Sequence, residues 1–133
     1  MHRKILGVLA FLLAFAGFFG GARAGAAAVT VKIGSKDFTE SILISEIFAQ
    51  ALEANGFTVE RKQALGGTAI IQAAMQSGEV NLYPEYTSTA LITVLKEPAD
   101  FDPKSAYDKV KKGYGEKYGF VLLGMAPLNN SQG

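Results

Sequence analysis

The chain has 133 residues, of which 49% are hydrophobic, with thirteen lysines and arginines, twelve aspartates and glutamates and a net charge of +1. That length holds one domain and not comfortably two, and a near-neutral balance argues against a nucleic-acid or anionic-membrane partner. Cysteine is absent and the one histidine is His2, so the body of the chain cannot carry a Ser-His-Asp or Cys-His site or an ordinary zinc site, and no disulfide can brace it.

Met1-His2-Arg3-Lys4 is basic, Ile5 to Gly20 carries no charge, and Gly21 to Ala28 is built mainly of small residues. This order predicts a secretory signal peptide over residues 1–28, cleaved near Ala24 or Ala28. The uncharged run falls short of the ~20 apolar residues of a spanning helix, which weighs against a transmembrane anchor. Cleavage would remove Arg3, Lys4 and Arg23, leaving ten basic residues against twelve acidic ones, a net of −2. The mature chain would also lose its histidine. With no cysteine to carry a lipid, a soluble periplasmic protein is expected.

In the remaining chain Val29, Val31 and Ile33 alternate with Thr30 and Lys32, the period of a first strand. Gly34 to Phe38 reads as a loop, and Asp37 with Glu40 three residues on predicts a capping box opening a helix. Ile44, Ile47, Phe48, Ala51 and Leu52 would form the apolar face of that helix, which ends at Asn55-Gly56. Phe57, Val59 and Arg61 predict a second strand. Leu65-Gly66-Gly67-Thr68 is a tight turn before a short helix over Ala69 to Gln76, closed by Ser77-Gly78. Val80 and Leu82 predict a brief third strand, followed by Tyr83 to Thr89 and an apolar stretch from Ala90 to Leu95. Asp102-Pro103 has the form of an N-cap with proline at the first helical position, and Tyr107, Val110, Tyr114 and Tyr118 would be the core stripe of the helix that follows. Phe120 to Leu123 predicts a fourth strand. Alternating strands and helices imply an α/β fold of parallel-sheet βαβ units with helices on both faces.

Three loops, 34–39, 66–68 and 83–89, each follow a predicted strand and precede a helix, so all three belong at the carboxyl edge of the sheet, where open α/β folds hold ligands. Taken alone, each of their residues also has a plain structural reading. Lys36 is a solvated charge, Asp37 a cap, Tyr83 a ring packed beneath its loop, Tyr86 a packing residue and Glu85 a surface group. Gly66 and Gly67 serve backbone angles, while Thr68 offers a hydroxyl or its backbone N–H.

Gly-Ser-Lys-Asp-Phe-Thr-Glu at 34–40, Leu-Gly-Gly-Thr at 65–68 and Tyr-Pro-Glu-Tyr-Thr-Ser-Thr-Ala-Leu at 83–91 together resemble the substrate-binding proteins of ABC importers for glycine betaine, choline and carnitine. The resemblance runs from about Val31 to Asn130. It implies a type II periplasmic binding protein-like fold, two lobes closing on a ligand, with residues 29–133 forming a partial first lobe truncated before the second. The implied ligand-binding residues are Lys36, Asp37, Gly67, Thr68, Tyr86 and Thr89, with Ser35, Tyr83 and Glu85 as weaker candidates. Tyr86 would be one wall of an aromatic cage, Thr89 and Lys36 would hold a ligand carboxylate, and Glu85 could offset a cation's charge. A quaternary ammonium cannot donate a hydrogen bond, so ring faces are its natural partners, each giving ~0.5–2 kcal/mol.

The implied partners are a small quaternary ammonium or amine solute and an inner-membrane permease and ATPase, with no cofactor, no metal and no chemistry of its own. Two departures stand out. The chain ends at Asn129-Asn130-Ser131-Gln132-Gly133, where relatives continue and many place an aromatic residue soon after the paired asparagines, and Ser88 stands where glycine is usual. Half a site predicts millimolar affinity at best. The same scaffold could take another small amine or an amino-acid-like solute. An exported carboxylate-dependent enzyme is the remote alternative, as no convincing carboxylate pair is present. An effector-sensing domain is disfavoured by the signal peptide.

Overall fold

A computed structural model describes residues 29–128; the expected signal peptide and the terminal Asn129 to Gly133 lie outside the described residues. Strand β1 (Thr30–Gly34) and strand β2 (Thr58–Lys62) pair in parallel, with Thr30 opposite Thr58 and Gly34 opposite Lys62. The expected third strand contracts to a single parallel bridge between Ile33 and Leu82. The Asn81 side chain accepts the Lys32 N–H at 2.8 Å, in the place of a ladder carbonyl, while Gly34 N–H still reaches the Leu82 carbonyl at 2.8 Å. Pro84, two residues on, has no N–H to extend a ladder.

β1 is thus flanked by β2 on one side and Leu82 on the other. Going from β1 to β2 and then back across β1 reverses the direction of travel, so right-handed crossovers put the two connecting helices on opposite faces. The first, α1 (Thr39–Ala54), turns Ser41, Ser45 and Ala49 to the sheet, a four-residue spacing of small side chains that permits close approach. Its expected apolar face is corrected accordingly: Ile44 and Leu52 are half-buried, but Ile47 is 56% exposed, and Phe48 and Ala51 also lie open. Periodicity marked an apolar stripe without showing which side meets the sheet. The Asp37 capping box is corrected too. Phe38 is the N-cap, it makes no side-chain cap bond, and Asp37 is exposed one residue upstream.

The second helix, α2 (Thr68–Ser77), stops at Gly78, whose φ of 75° is the left-handed C-terminal conformation. Its Ile71 and Ala74 pack with Val80. Gly34 is required beneath them, since a Cβ there would come within 2.7 Å of Ile71 Cδ1. Helix α3 (Thr87–Thr89) runs into a π-helix over Ala90–Leu95, and α4 (Pro103–Tyr118) begins where the Asp102 side chain accepts the Ser105 N–H at 2.7 Å. Ala90, Leu91 and Leu95 form a second core with Val110 and Tyr114 of α4. The expected fourth strand is not formed. Phe120 and Leu122 lean on this core, Val121 and Leu123 face outward, and no strand lies alongside among the described residues, so there is no ladder to define one.

Candidate functional site

The loop after β1 turns inward. Lys36 donates its backbone N–H to Ser41 Oγ at 3.0 Å, and its ammonium, 3% exposed, meets Glu85 Oε1 at 2.5 Å. A buried ammonium is tolerable only with a counter-charge, and the loop at 83–89 supplies it in Glu85. Glu85 Oε1 also accepts the Tyr86 N–H at 2.7 Å, while Oε2 lies 3.0 Å from the Tyr83 hydroxyl and 3.4 Å from that of Tyr114. Burial, and then the Glu85 charge, push both phenols above their ordinary range, which keeps the protons that they donate.

The Tyr83 hydroxyl lies 3.2 Å from the Gln72 amide as well. A phenol has one hydrogen to give, and Gln72 Nε2 is buried without an acceptor when its oxygen faces Tyr83. With the amide turned over, Nε2 donates to Tyr83 and Tyr83 donates to Glu85, so the donors run one way into the carboxylate.

Tyr86 sits at the mouth of this cluster, half-buried. Its hydroxyl donates to Glu40 Oε1 at 3.0 Å, its ring centroid is 5.6 Å from that of Phe38, and the Lys36 ammonium lies 5.3 Å from the ring centre. The ring is therefore set by α1, by its own loop and by Lys36 together, at the carboxyl edge of the sheet.

The structure thus brings Lys36, Glu85, Tyr83 and Tyr86 together. Lys36, which the resemblance places against a ligand carboxylate, is engaged by Glu85, and Glu85 is a buried counter-charge rather than a surface group. Ser35 is fully buried and acts as a stitch between loops. Its Oγ accepts the Ala64 N–H at 2.8 Å and its carbonyl the Leu65 N–H at 3.2 Å, holding Ala64 at a φ of 55° that a non-glycine residue rarely adopts. Gly66, at φ 140°, needs its freedom; Gly67, at φ −72°, is the exposed N-cap of α2. Gly67, Thr68 and Thr89 stand at helix ends outside the hydrogen-bonded cluster, and Asp37 points to solvent. Four contributors were missing from the sequence reading of the site: Phe38, Glu40, Gln72 and, as a hydrogen-bond donor, Tyr114. Tyr114 was legible as core through its helical spacing. Phe38 and Glu40 lie within the motif at 34–40, and nothing local marks Gln72.

Residues 29–133 match the family described as the substrate-binding domain of the ABC-type glycine betaine transport system. The glycine betaine-binding protein YehZ of Escherichia coli (strain K12) is 40% identical over 108 residues, 79% of this chain and 35% of that protein. The glycine-betaine-binding protein of Pseudomonas aeruginosa is 36% identical over 119 residues, 90% of this chain and 37% of that one. The solved structure of apo YehZ from Escherichia coli superposes with a TM-score of 0.72 at 37% identity, covering 78% of this chain and 38% of that chain. The chain therefore spans about a third of the length of these relatives. Among the described residues no helix is long and apolar enough to cross a membrane, and no cluster of His, Cys, Asp and Glu could hold a metal ion.

Proposed function

The chain belongs to the family of substrate-binding domains of ABC-type glycine betaine transport systems, and from that premise we propose that it contributes to capturing quaternary ammonium solutes, such as glycine betaine, choline or carnitine, in the periplasm. In this reading residues 1–28 are the export signal, the protein has no chemistry of its own, and its partners are a permease and an ATPase of the inner membrane.

The observation that carries the reading is Tyr86: a ring fixed at the carboxyl edge of the sheet, beside the carboxylate of Glu40 and facing Phe38. A methylated ammonium is attracted to such a face and to diffuse negative charge, and it cannot compete for the hydrogen bonds that hold the ring. With Lys36 engaged by Glu85, a solute carboxylate falls to the hydroxyls of Thr68 and Thr89 and to the positive end of α2. One or two rings at ~0.5–2 kcal/mol each fall short of the ~8 kcal/mol of micromolar binding, so this chain should bind at millimolar strength or weaker.

Titration with glycine betaine, choline, carnitine and a set of amino acids, followed by calorimetry or NMR, tests the reading. The quaternary ammonium compounds should bind and the amino acids should not, and Tyr86→Ala, compared where both proteins are folded, should weaken binding by about fivefold or more. Unchanged affinity in Tyr86→Ala removes the ring from the site; preference for an amino acid replaces the solute class.

A further inference from the structure

We propose that Val121 to Met125 is an open strand edge that pairs, antiparallel and centred on Leu123, with the same segment of a second copy of the chain. The inference stands apart from the solute reading, and neither depends on the other.

Among the described residues, the outer edge of β2 and the stretch after α4 both lack a neighbouring strand, and they are defended differently. The edge of β2 carries Glu60, Arg61 and Lys62, and charges along an edge keep further strands from adding to it. Gly119 to Leu128 contains no charged residue at all. Phe120 and Leu122 lean on the core, while Val121 is 79%, Leu123 64% and Met125 55% exposed. That is the two-residue alternation of an extended chain with one face covered. No backbone–backbone hydrogen bond reaches any of residues 121–125 among the described residues. An uncharged, apolar edge with free backbone groups is a template for another strand.

A second copy suits this edge. Pairing a segment with itself sets each residue near its own image, so a charge within it would meet a like charge, which destabilises a strand pair. This stretch has none. One contact fixes the register. Tyr107 donates its hydroxyl to the Leu123 carbonyl at 2.6 Å, so Leu123 turns its backbone toward α4, and Leu122 and Gly124 turn theirs to the open side. In an antiparallel pair, alternate residues exchange both of their backbone bonds with the residue opposite. Leu122 of each copy would exchange bonds with Gly124 of the other. Between them Leu123 would face Leu123 at the closer, non-hydrogen-bonded position, on the two-fold axis, and Val121 would face Met125. With three apolar side chains per copy more than half exposed, the pair comes near the ~1,000 Å² that a specific interface has to clear. The dimer is therefore a weak one that forms as concentration rises.

Sedimentation of the whole chain over rising concentration tests the inference, with Leu123→Lys as the variant that charges the edge without entering the core. The unsubstituted protein should pass from monomer to dimer, and Leu123→Lys should weaken that association by about tenfold or more. Because the chain has no cysteine of its own, the register can be read by cross-linking in air. Leu123→Cys should form a disulfide-linked dimer, since facing Cα atoms at the non-hydrogen-bonded position lie about 4.5 Å apart. Val121→Cys, which would face Met125, should link about threefold or more slowly. A protein that stays monomeric at millimolar concentration overturns the inference. So does a dimer that Leu123→Lys leaves unchanged, which would lie on another face such as the outward side of α1, and so does equal linking of the two cysteine variants. Protection of the 121–125 amides from hydrogen exchange in the monomer overturns it as well, because the chain would then cover the segment itself.

Discussion

Helix α1 stands between two clusters of opposite charges built from the same chemistry. At its N-terminal end the Lys36–Glu85 pair is closed from water, with side chains 3% and 9% exposed; along its flank Arg61 bridges Glu46 and Glu53 with all three side chains about a third exposed or more. Arg61 makes four hydrogen bonds to its two carboxylates, more than Lys36 makes to Glu85. By hydrogen bonding alone the flank should matter more. Burial reverses the ranking, because an exposed ion that loses its partner is taken up by water and a buried one is not. The inner cluster is also the one that holds Tyr86, so architecture and the proposed site share a single set of charges.

The sharpest way to break that contrast is to delete one charge at the inner cluster. Lys36→Met should cost about 3–5 kcal/mol, because Glu85 is left buried without its counter-charge. Chemical denaturation of Lys36→Met beside Arg61→Met reads the difference directly. Equal losses would mean that water reaches Glu85 and that the inner cluster is no more sheltered than the flank.

A second contrast lies within α1 itself. Ala49 is fully buried against the sheet, whereas Ile47 two residues before is 56% exposed. Ala49→Leu adds volume where there is no room and should cost about 1–3 kcal/mol. Ile47→Ser should change stability by no more than about 0.5 kcal/mol. If Ile47→Ser proved the costlier, the outward apolar side of α1 would be covered in solution and the inward face would not be the one that anchors the helix.

These contrasts also mark how far the sequence could be read. What is local was legible: the Asp102 cap with Pro103, the left-handed stop at Gly78, the alternation of β1, and the spacing that brings Val110 and Tyr114 inward. Each depends on neighbours within a turn or two. What depends on partners far along the chain was not. Lys36 and Glu85 are 49 residues apart, and no motif near either says that they neutralise each other. Asp37 and Glu40 had the spacing of a capping box, but Phe38 became the N-cap and Glu40 turned to the Tyr86 hydroxyl. Phe120 to Leu123 had the composition of a strand without an adjacent strand to pair with. The convergence of loops at the sheet edge followed from strand-to-helix order, which is why Tyr86 and Lys36 were found together although the pairing of Lys36 with Glu85 was not.

The smallest expected effect belongs to the flank, and acid should reveal it. Arg61, followed by the Gln50 amide, holds the Glu46 carboxyl at about 2, down from an ordinary value near 4.5. Arg61 also lowers that of Glu53. For carboxyls depressed in the folded state, the unfolded chain binds protons first as pH falls, so their contribution is fully present above about 4.5 and fades toward about 2. Arg61→Gln should therefore be slightly less stable than the unsubstituted protein at neutral pH, with the gap narrowing through that acid window. Because these groups face solvent, added salt at neutral pH should narrow it as well. Urea midpoints measured across the range check both trends. A gap that persisted unchanged near pH 2 would trace the loss to packing of the Arg61 stem against α1 and not to its charge.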